Sequence, residues 1–431
     1  MSLSIKVNNL FGPAWLALAL AMNLLEVNHA SAADVVITSE QKGAEVLSLG
    51  YIEFKCVKGD PKSVPYPPGT VLTDDLRFSG RFRIQSAYIF DSTAKNIFKH
   101  DSALAYLRGS YMLENGQYIL DCELIDIDSG QVILKKHYAG PKDQLRQASH
   151  QFADELVYQL FGEKGIAQTR ITYVSKRPTG KEVSLMDYDG ATVREVTRNK
   201  SINLTPIFLG DKNKILFTSY AAGIPQFFQA DMTSTKVMQV FASKGMNSAA
   251  NYNKMDREIV YASTMDGNSE IYRRSVDGGK PVRLTFAEGI DTSPAWSPNG
   301  YEIVFVSDRG GKPMLYVMDR DGSNIRRITD DFDYCGSPAW SPKGDRIAFV
   351  ALEGSNNFNI YTVTPDGKDP VKLTSDAGSN ESPSWSPDSR HITFMSTRLG
   401  SPEIFVINAD GSTPRRLTYS GGNSMPAWSD Y

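Results

Sequence analysis

Tryptophans recur at a nearly constant spacing through the second half of this 431-residue chain. Trp296, Trp340, Trp385 and Trp428 are separated by 44, 45 and 43 residues, each in a Pro-Ala-Trp-Ser or Pro-Ser-Trp-Ser context. Self-similarity at such a period is typical of repeat architectures, in which one supersecondary unit buries its apolar surface against the next. This repeat constrains the fold more tightly than the composition does.

Further landmarks keep the same period and extend the repeat to six units. Each unit has a β-rich run, then an Asp-Gly pair or its equivalent, then a Leu-Thr pair or a related one. An Asp-Gly pair between two short strands indicates a two-residue hairpin turn. The β-rich runs lie at 171–174, 215–218, 259–262, 303–306, 347–350 and 392–395.

Each unit is interpreted as four short strands. The Pro-Ala-Trp-Ser segment predicts the first strand, and the apolar run predicts a second strand that is covered on both faces. The third and fourth strands flank the Asp-Gly turn, and the fourth carries a cation such as Arg283 or Arg327, which discourages edge pairing. Four strands in about 44 residues, repeated six times, predict a six-bladed β-propeller.

The two ends of the repeat region complement each other. The first unit begins at its second strand, 171–174, and the sequence finishes on an isolated first strand, 426–429. We expect this last strand to complete the first blade and close the ring. Phe208 and Tyr252 stand where later units have tryptophan, so the four tryptophans are interpreted as the structural core of the repeats, packed between blades.

The N-terminus has the features of a signal peptide over residues 1–32. An apolar run at 14–22 is followed by small residues at 30–33, which is the arrangement of a cleaved secretory signal. An uncleaved anchor is the alternative. No later stretch reaches about 18 apolar residues, so we expect a soluble, exported mature protein.

Residues 33–162 lack the repeat and predict a small α/β domain. Strands are expected at 46–54, 104–113, 118–126 and 131–138, and helices at 70–78 and 144–161. The Pro-rich loop 61–68 is expected to be exposed. The predicted chain is thus multi-domain: this N-terminal α/β domain, then a six-bladed all-β propeller of the WD40-like type over 163–431, closed by the C-terminal strand.

Cys56 and Cys122 both fall in predicted strands of the N-terminal domain, and Cys335 falls in the propeller. An oxidising compartment permits a disulfide between the first two. Buried free thiols are the alternative. Cys335 has no evident partner.

Composition and motifs argue against several classes of function. The formal net charge of -3 does not favour nucleic-acid binding. Five His, three Cys and the lack of nucleotide-binding, hydrolase and zinc motifs lead us to expect no cofactor and no metal. What remains is a surface: the loops that join each fourth strand to the next first strand gather around the central channel and suit recognition.

The combination of these features resembles one known family. A signal peptide, a small α/β domain, six repeats of the Trp-Ser-Pro type, the segments 75–82, 169–174 and 187–190, and a terminal Pro-Ala-Trp-Ser are similar to the TolB family of the Tol–Pal system. The resemblance implies a periplasmic, non-enzymatic adaptor that is monomeric outside its complex. It implies binding to the peptidoglycan-associated lipoprotein (Pal) and to TolA, with colicins and other outer-membrane proteins as further partners, and roles in outer-membrane integrity and cell division.

The resemblance also implies site residues at matching positions. The TolA contact is expected at the mature N-terminus, at Asp34, Val35, Val36 and Ile37. The Pal contact is expected on the channel-facing loops, at Met246, Ala249, Ile290, Thr292, Ser293, Tyr334, Ser337, Glu381 and Ser382.

Two other functions stay open at the level of sequence. A propeller can act as a carbohydrate-active enzyme, which requires acid and base groups in the channel. The channel loops contain no His, and their carboxylates are Glu288, Asp291, Asp333 and Glu381. A generic exported interaction scaffold is the second alternative.

Overall fold

A computed structural model describes residues 46–431 apart from positions 91, 211, 235, 353, 355, 356, 376 and 377. The predicted signal peptide and the predicted TolA contact at 34–37 lie outside the described residues. No helix in the described part of the chain is long and apolar enough to span a membrane.

The N-terminal part forms a six-stranded sheet with three α-helices. Strand β1 pairs with β3 and β4 in parallel, β2 continues the line of β1 along β4, and β4, β5 and β6 form an antiparallel meander. The elements are β1 (Leu47–Ile52), β2 (Lys55–Lys58), α1 (Pro68–Phe78), β3 (Phe82–Ala87), α2 (Ser92–His100), β4 (Ala105–Glu114), β5 (Gln117–Asp126), β6 (Val132–Pro141) and α3 (Leu145–Phe161).

Helix α3 covers one face of this sheet because its apolar residues recur at helical spacing. Leu145, Ala148, Phe152 and Leu156 are all buried in the domain core. The helix ends at Gly162, whose φ of 71° is the left-handed conformation that glycine adopts without a Cβ clash. The predicted long helix and the meander are present, whereas β2, β3 and α2 were not predicted.

The three cysteines are free thiols, so the disulfide alternative for Cys56 and Cys122 is wrong. Cys56 lies opposite Tyr111 and Cys122 lies opposite Gly109, with β4 between them. Two strand spacings amount to about 9–10 Å, which exceeds the ~7 Å limit between Cα atoms that a disulfide can bridge.

The second part forms six four-stranded blades, as predicted. Blade 1 contains β7 (Arg170–Arg177), β8 (Gly180–Asp187), β9 (Arg194–Glu195) and the last strand, β30 (Asn423–Trp428). Blade 2 contains β10 (Asn203–Phe208), β11 (Lys214–Ser219), β12 (Gln226–Asp231) and β13 (Lys236–Phe241). Blade 3 contains β14 (Asn247–Asn253), β15 (Glu258–Ser263), β16 (Glu270–Ser275) and β17 (Val282–Arg283).

The other three blades repeat the pattern. Blade 4 contains β18 (Asp291–Trp296), β19 (Glu302–Ser307), β20 (Met314–Asp319) and β21 (Arg326–Arg327). Blade 5 contains β22 (Tyr334–Trp340), β23 (Ile347–Leu352), β24 (Asn359–Val363) and β25 (Val371–Lys372). Blade 6 contains β26 (Asn380–Trp385), β27 (His391–Ser396), β28 (Glu403–Asn408) and β29 (Arg415–Arg416).

The C-terminal strand closes the ring, as the sequence predicts. β30 pairs antiparallel with β7, so that Asn423 lies opposite Ser175 and Trp428 lies opposite Ile171. The indole Nε1 of Trp428 donates a hydrogen bond to Thr169 Oγ1 at 2.8 Å. The inner edge of blade 1 is therefore supplied by the far end of the chain.

The Leu-Thr pairs form a buried polar network between blades. In blade 3, Thr285 Oγ1 accepts the amide of Ile271 at 2.9 Å and donates to Glu270 at 2.6 Å. At the junction of blades 6 and 1, Glu403 also accepts a 2.8 Å bond from Asn423 of β30. Because buried polar groups need partners, the Leu-Thr pair serves a structural purpose that explains its recurrence.

Candidate functional site

All inner strands run in the same direction, so the propeller has two different channel mouths. The inner strands begin at one mouth, where the loops from the outermost strands arrive; we call this the loop mouth. They end at the other, the tryptophan mouth, where a cavity of about 390 Å³ is lined by Trp296, Trp340, Trp385 and Trp428 together with Phe208 and Tyr252. Three of these indoles are buried and Trp340 is partly buried.

The structure brings the nine predicted Pal-contact residues together at the loop mouth. They lie at or just before the starts of four consecutive inner strands: β14, β18, β22 and β26. Met246, Ile290, Tyr334 and Ser337 are exposed, and the remaining five are partly buried. The predicted set therefore covers one continuous side of the mouth, along blades 3 to 6.

Four of these residues have an unusual backbone conformation. Ala249, Ser293, Ser337 and Ser382 have φ between 47° and 56°, each at a bulge in its inner strand. A positive φ is uncommon outside glycine. Thr205 and Met425 share it at the matching positions of the other two blades. Since every blade has this feature, we assign it to the architecture rather than to one site.

Side chains of neighbouring turns hold the mouth loops in place. The amide of Ile290 donates to Asp308 at 2.7 Å, that of Met246 to Thr264 at 3.0 Å, and that of Ser379 to Thr397 at 2.9 Å. In each case the acceptor follows the second strand of the blade whose inner strand begins there. The exposed residues are consequently presented on anchored loops rather than on free ones.

Sequence reasoning missed most of the apolar residues at this mouth. Phe286 and Tyr419 are each 74% exposed. The sequence did contain a signal for them, because they are large apolar residues in loops otherwise made of Gly, Ser and charged residues. The exposed large apolar residues around the loop mouth are Ile202, Tyr220, Ile224, Met246, Phe286, Ile290, Tyr334, Leu399 and Tyr419.

Glu381 differs from the other predicted residues because it carries a charge. Its side chain has no ion pair or hydrogen bond to any described residue, and burial raises the pKa of its carboxyl group. It lies near Tyr334, since burial and the charge of Glu381 both raise the pKa of that phenol. Tyr334 also packs edge-on against Phe358, with 5.4 Å between ring centroids.

Asp291, a carboxylate considered above for channel chemistry, lies behind the mouth and is fully buried. Its Oδ2 accepts a 2.7 Å bond from Arg309. Neighbouring Glu270 accepts bonds from Arg283 at 2.8 Å and from Thr285. Burial, followed by the charge of Glu270, raises the pKa of Asp291. These contacts make Asp291 part of the junction between blades 3 and 4.

Groups suited to metal binding or acid–base catalysis are sparse at the mouth. The described residues contain no group of three or more His, Cys, Asp or Glu side chains that could hold a metal ion. Asp333 is exposed and forms a 2.9 Å ion pair with Lys312. What the mouth offers instead is an apolar surface with a few charges, which suits contact with another macromolecule.

A buried polar network joins the N-terminal domain to blade 1. Asp75 of α1 accepts a 2.5 Å bond from Tyr188 Oη and lies 2.7 Å from His150 Nδ1 of α3. Arg146 of α3 bonds Asp187 at 2.9 Å and also bonds Asp189. The segments 75–82 and 187–190, on which the family resemblance partly rests, meet at this contact.

These features define a six-bladed β-propeller protein with an N-terminal α/β domain and an apolar loop mouth. Residues 157–334 and 331–430 match the TolB beta propeller domain. The chain belongs to this TolB propeller family, which confirms the resemblance seen in the sequence.

Individual relatives agree with this assignment. The chain is 34% identical over 240 residues to a "Protein TolB homolog" of Chlorobium chlorochromatii, which covers 53% of this chain and 54% of the relative. It is 33% identical over 217 residues to the "Tol-Pal system protein TolB" of Roseobacter denitrificans, covering 47% and 49% respectively. The chain thus spans about half the length of the curated relatives it matches.

A solved structure extends the likeness of fold to the N-terminal domain. The crystal structure of TolB from Acinetobacter baumannii superposes with a TM-score of 0.77 and covers 90% of this chain and 98% of that one. The sequence identity is 21%, so the match concerns the fold.

Proposed function

We propose that this protein is a periplasmic adaptor of the Tol–Pal system that binds the peptidoglycan-associated lipoprotein at the loop mouth. Membership of the TolB propeller family and the names of the curated relatives support the system. The observation that supports this site is that nine exposed large apolar residues lie in loops at one mouth. Large exposed apolar patches mark interaction sites on soluble proteins.

The remaining parts of the proposal follow the resemblance. The mature N-terminus, Asp34–Ile37, contacts TolA, and the whole assembly supports outer-membrane integrity and cell division. The protein acts by binding, with no cofactor and no catalytic step. Anchored loops on a closed ring support this role, because a preorganised surface loses little conformational entropy when its partner binds.

The test is a calorimetric titration of residues 33–431 with the soluble Pal domain from the same organism. Thr292→Arg places a long cation within the mouth, and Tyr334→Ala removes an exposed aromatic contact. We expect each change to weaken binding at least tenfold, because central aromatic contacts dominate interface energetics. A parallel titration with TolA tests the second contact.

The matched control is Tyr301→Ala, which removes a tyrosine that is 66% exposed in a turn at the tryptophan mouth. It should leave the affinity for Pal unchanged. If all three variants bind like the wild type, the partner docks elsewhere. If the wild type does not bind, the proposed function is wrong.

A further inference from the structure

The loop mouth is divided into two halves by charges that have no partner within the described chain. One half, formed by blades 1 to 3, contains Lys176 at the end of β7, Lys200 in the β9–β10 loop and Lys244 in the β13–β14 loop. All three are exposed. None forms an ion pair or a side-chain hydrogen bond with a described residue.

Carboxylates occupy the opposite half. Glu288 lies in the β17–β18 loop, Asp331 lies in the β21–β22 loop, and Glu381 lies at the start of β26. Glu288 and Asp331 are exposed, while Glu381 is partly buried. These three side chains also form no ion pair with the part of the chain that the structure describes.

Most other charges at the mouth have local partners, and this pairing leaves one extra positive charge on the lysine side. Arg177 and Arg198 both bind Glu195, with N–O distances of 3.1 and 2.8 Å. Asp330 pairs with Arg327 at 2.9 Å. Arg398, in the β27–β28 loop of the opposite half, bonds Ser396 and Asn380 and forms no ion pair with a described residue. The two halves therefore differ in the sign of their exposed unpaired charges, with lysines on one side and carboxylates on the other.

This division matters because the shape of the mouth is nearly repetitive. Six inner strands present the same bulge to the channel, so shape alone offers a partner six similar rotational positions. Charges of opposite sign on opposite halves favour one rotation and disfavour its reverse, since like charges across an interface are repulsive. A folded domain that covers the mouth could contact both halves at once.

Resting on the proposed function, we infer that the partner is a folded protein whose docking surface is itself charge-divided. Its centre is apolar, to match residues such as Met246, Ile290 and Tyr334. Its carboxylates lie over Lys176, Lys200 and Lys244, and its Lys or Arg side chains lie over Glu288, Asp331 and Glu381. The charges thereby set the rotational orientation of the complex.

The experiment compares two triple variants of residues 33–431 in stopped-flow binding to the soluble Pal domain of the same organism. One variant is Lys176→Glu/Lys200→Glu/Lys244→Glu, and the other is Glu288→Lys/Asp331→Lys/Glu381→Lys. A charge-divided partner predicts that both variants associate more slowly, by roughly tenfold to a hundredfold at low ionic strength. The loss should shrink strongly at about 0.5 M salt.

The sign of the two effects separates this inference from a simple effect of net charge. A partner of uniform charge would bind one triple variant more slowly and the other faster, which would overturn the inference. Equal rates for both variants and the wild type would overturn it as well, and either result leaves the proposed function standing. A wild type that does not bind Pal rejects the proposed function and this inference with it.

A matched control changes the net charge equally at the other mouth. Lys236→Glu/Lys280→Glu/Lys343→Glu alters three exposed lysines in or beside the turns that face away from the loop mouth. We expect its association rate to stay within about twofold of the wild type at moderate salt, because screened charges at that distance act weakly. A loss as large as that of the loop-mouth variants would overturn the inference.

Discussion

At the scale of single residues, Asp291 is an exception in a repeated junction. Asparagine occupies the matching buried position in four of the six blades: Asn203, Asn247, Asn380 and Asn423. Asn423 donates to Glu403, and Asn380 accepts from Arg398 at 3.1 Å, as Asp291 accepts from Arg309. The Oδ1 of Asp291 has no hydrogen-bond partner among the described residues, and neither has the Oδ1 of Asn247. A buried carboxyl group thus stands where four other blades place an amide and blade 5 places Cys335.

We predict that Asp291→Asn stabilises the protein at neutral pH by about 1 kcal/mol. The surrounding charged and polar groups are Glu270, Arg283, Thr285, Ser307 and Arg309. Because the folded-state pKa of Asp291 is raised, the folded state holds its proton more tightly than the unfolded state does. Its contribution to stability is complete below the unfolded pKa of about 3.9 and is lost as the pH rises through the folded pKa.

The difference between Asp291→Asn and the wild type should accordingly grow with pH above about 4. Urea unfolding at a series of pH values measures it. The reciprocal control, Asn423→Asp, places a second carboxyl group beside Glu403 and should destabilise the protein more at pH 7 than at pH 5. A pH-independent difference for Asp291→Asn would contradict a raised pKa of this carboxyl group in the folded state.

At the scale of elements, the closure of the ring depends on how β30 is held. Trp428 donates to Thr169 at 2.8 Å, and Ser175 donates to Asn423 at 2.8 Å. The amide of Arg170 donates to Ser429 at 3.0 Å. These bonds join the last strand to the first blade across nearly the whole length of the propeller sequence. They make β30 an integral inner strand rather than an appended one.

We predict that Trp428→Phe lowers the free energy of unfolding by about 1–3 kcal/mol more than Trp296→Phe does. Both indoles are buried, so both substitutions remove similar apolar area. Only Trp428 loses a hydrogen bond, because the Nε1 of Trp296 has no partner in the described chain. Urea unfolding of both variants, monitored by far-UV circular dichroism, measures the two losses of stability. Equal losses would show that the Trp428–Thr169 bond adds nothing to closure.

The elements also show what could be read from the sequence. The blades were predictable because a buried repeat must recur at a fixed period, and β30 because its motif stands alone at the end. Helix α2 could not be predicted, because Ala94 and Phe98 are its only buried residues among those described. Two buried residues are too few to show a helical period. Strand β3 is a half-exposed edge strand whose alternation contains only two large apolar residues, Phe82 and Ile84, which is too short to identify a strand.

The position of the site could be predicted from the sequence, but the apolar and charged character of its surface could not. The topology of a propeller gathers the loops that precede the inner strands, so the predicted residues share one mouth. Phe286 and Tyr419 lie in loops, which have no hydrophobic period, and their exposure is visible only in three dimensions. The division of charge likewise depends on which side chains find partners, as Lys312 and Asp333 do.

At the scale of the whole molecule, the two parts contact each other through buried polar groups rather than through a flexible link. Tyr188 is completely buried, and burial together with the charge of Asp75 raises its pKa well above the usual value. Phe78 of α1 packs on Tyr188 and stacks on His391 of blade 6, with a centroid distance of 4.5 Å in the second pair. The N-terminal domain thus contacts both blades that flank the closure of the ring.

We predict that Tyr188→Phe destabilises the N-terminal domain and the propeller together. The change leaves a buried oxygen of Asp75 without its 2.5 Å donor, which costs about 1–3 kcal/mol. After removal of residues 1–32 every tryptophan lies in the propeller, so tryptophan fluorescence reports that part, while far-UV circular dichroism also reports the helices α1 and α3. Both transitions should shift to lower urea by the same amount. The control is Tyr158→Phe, on an exposed position of α3, which should shift neither. A shift in the dichroism alone would mean that the interface does not couple the stability of the two parts.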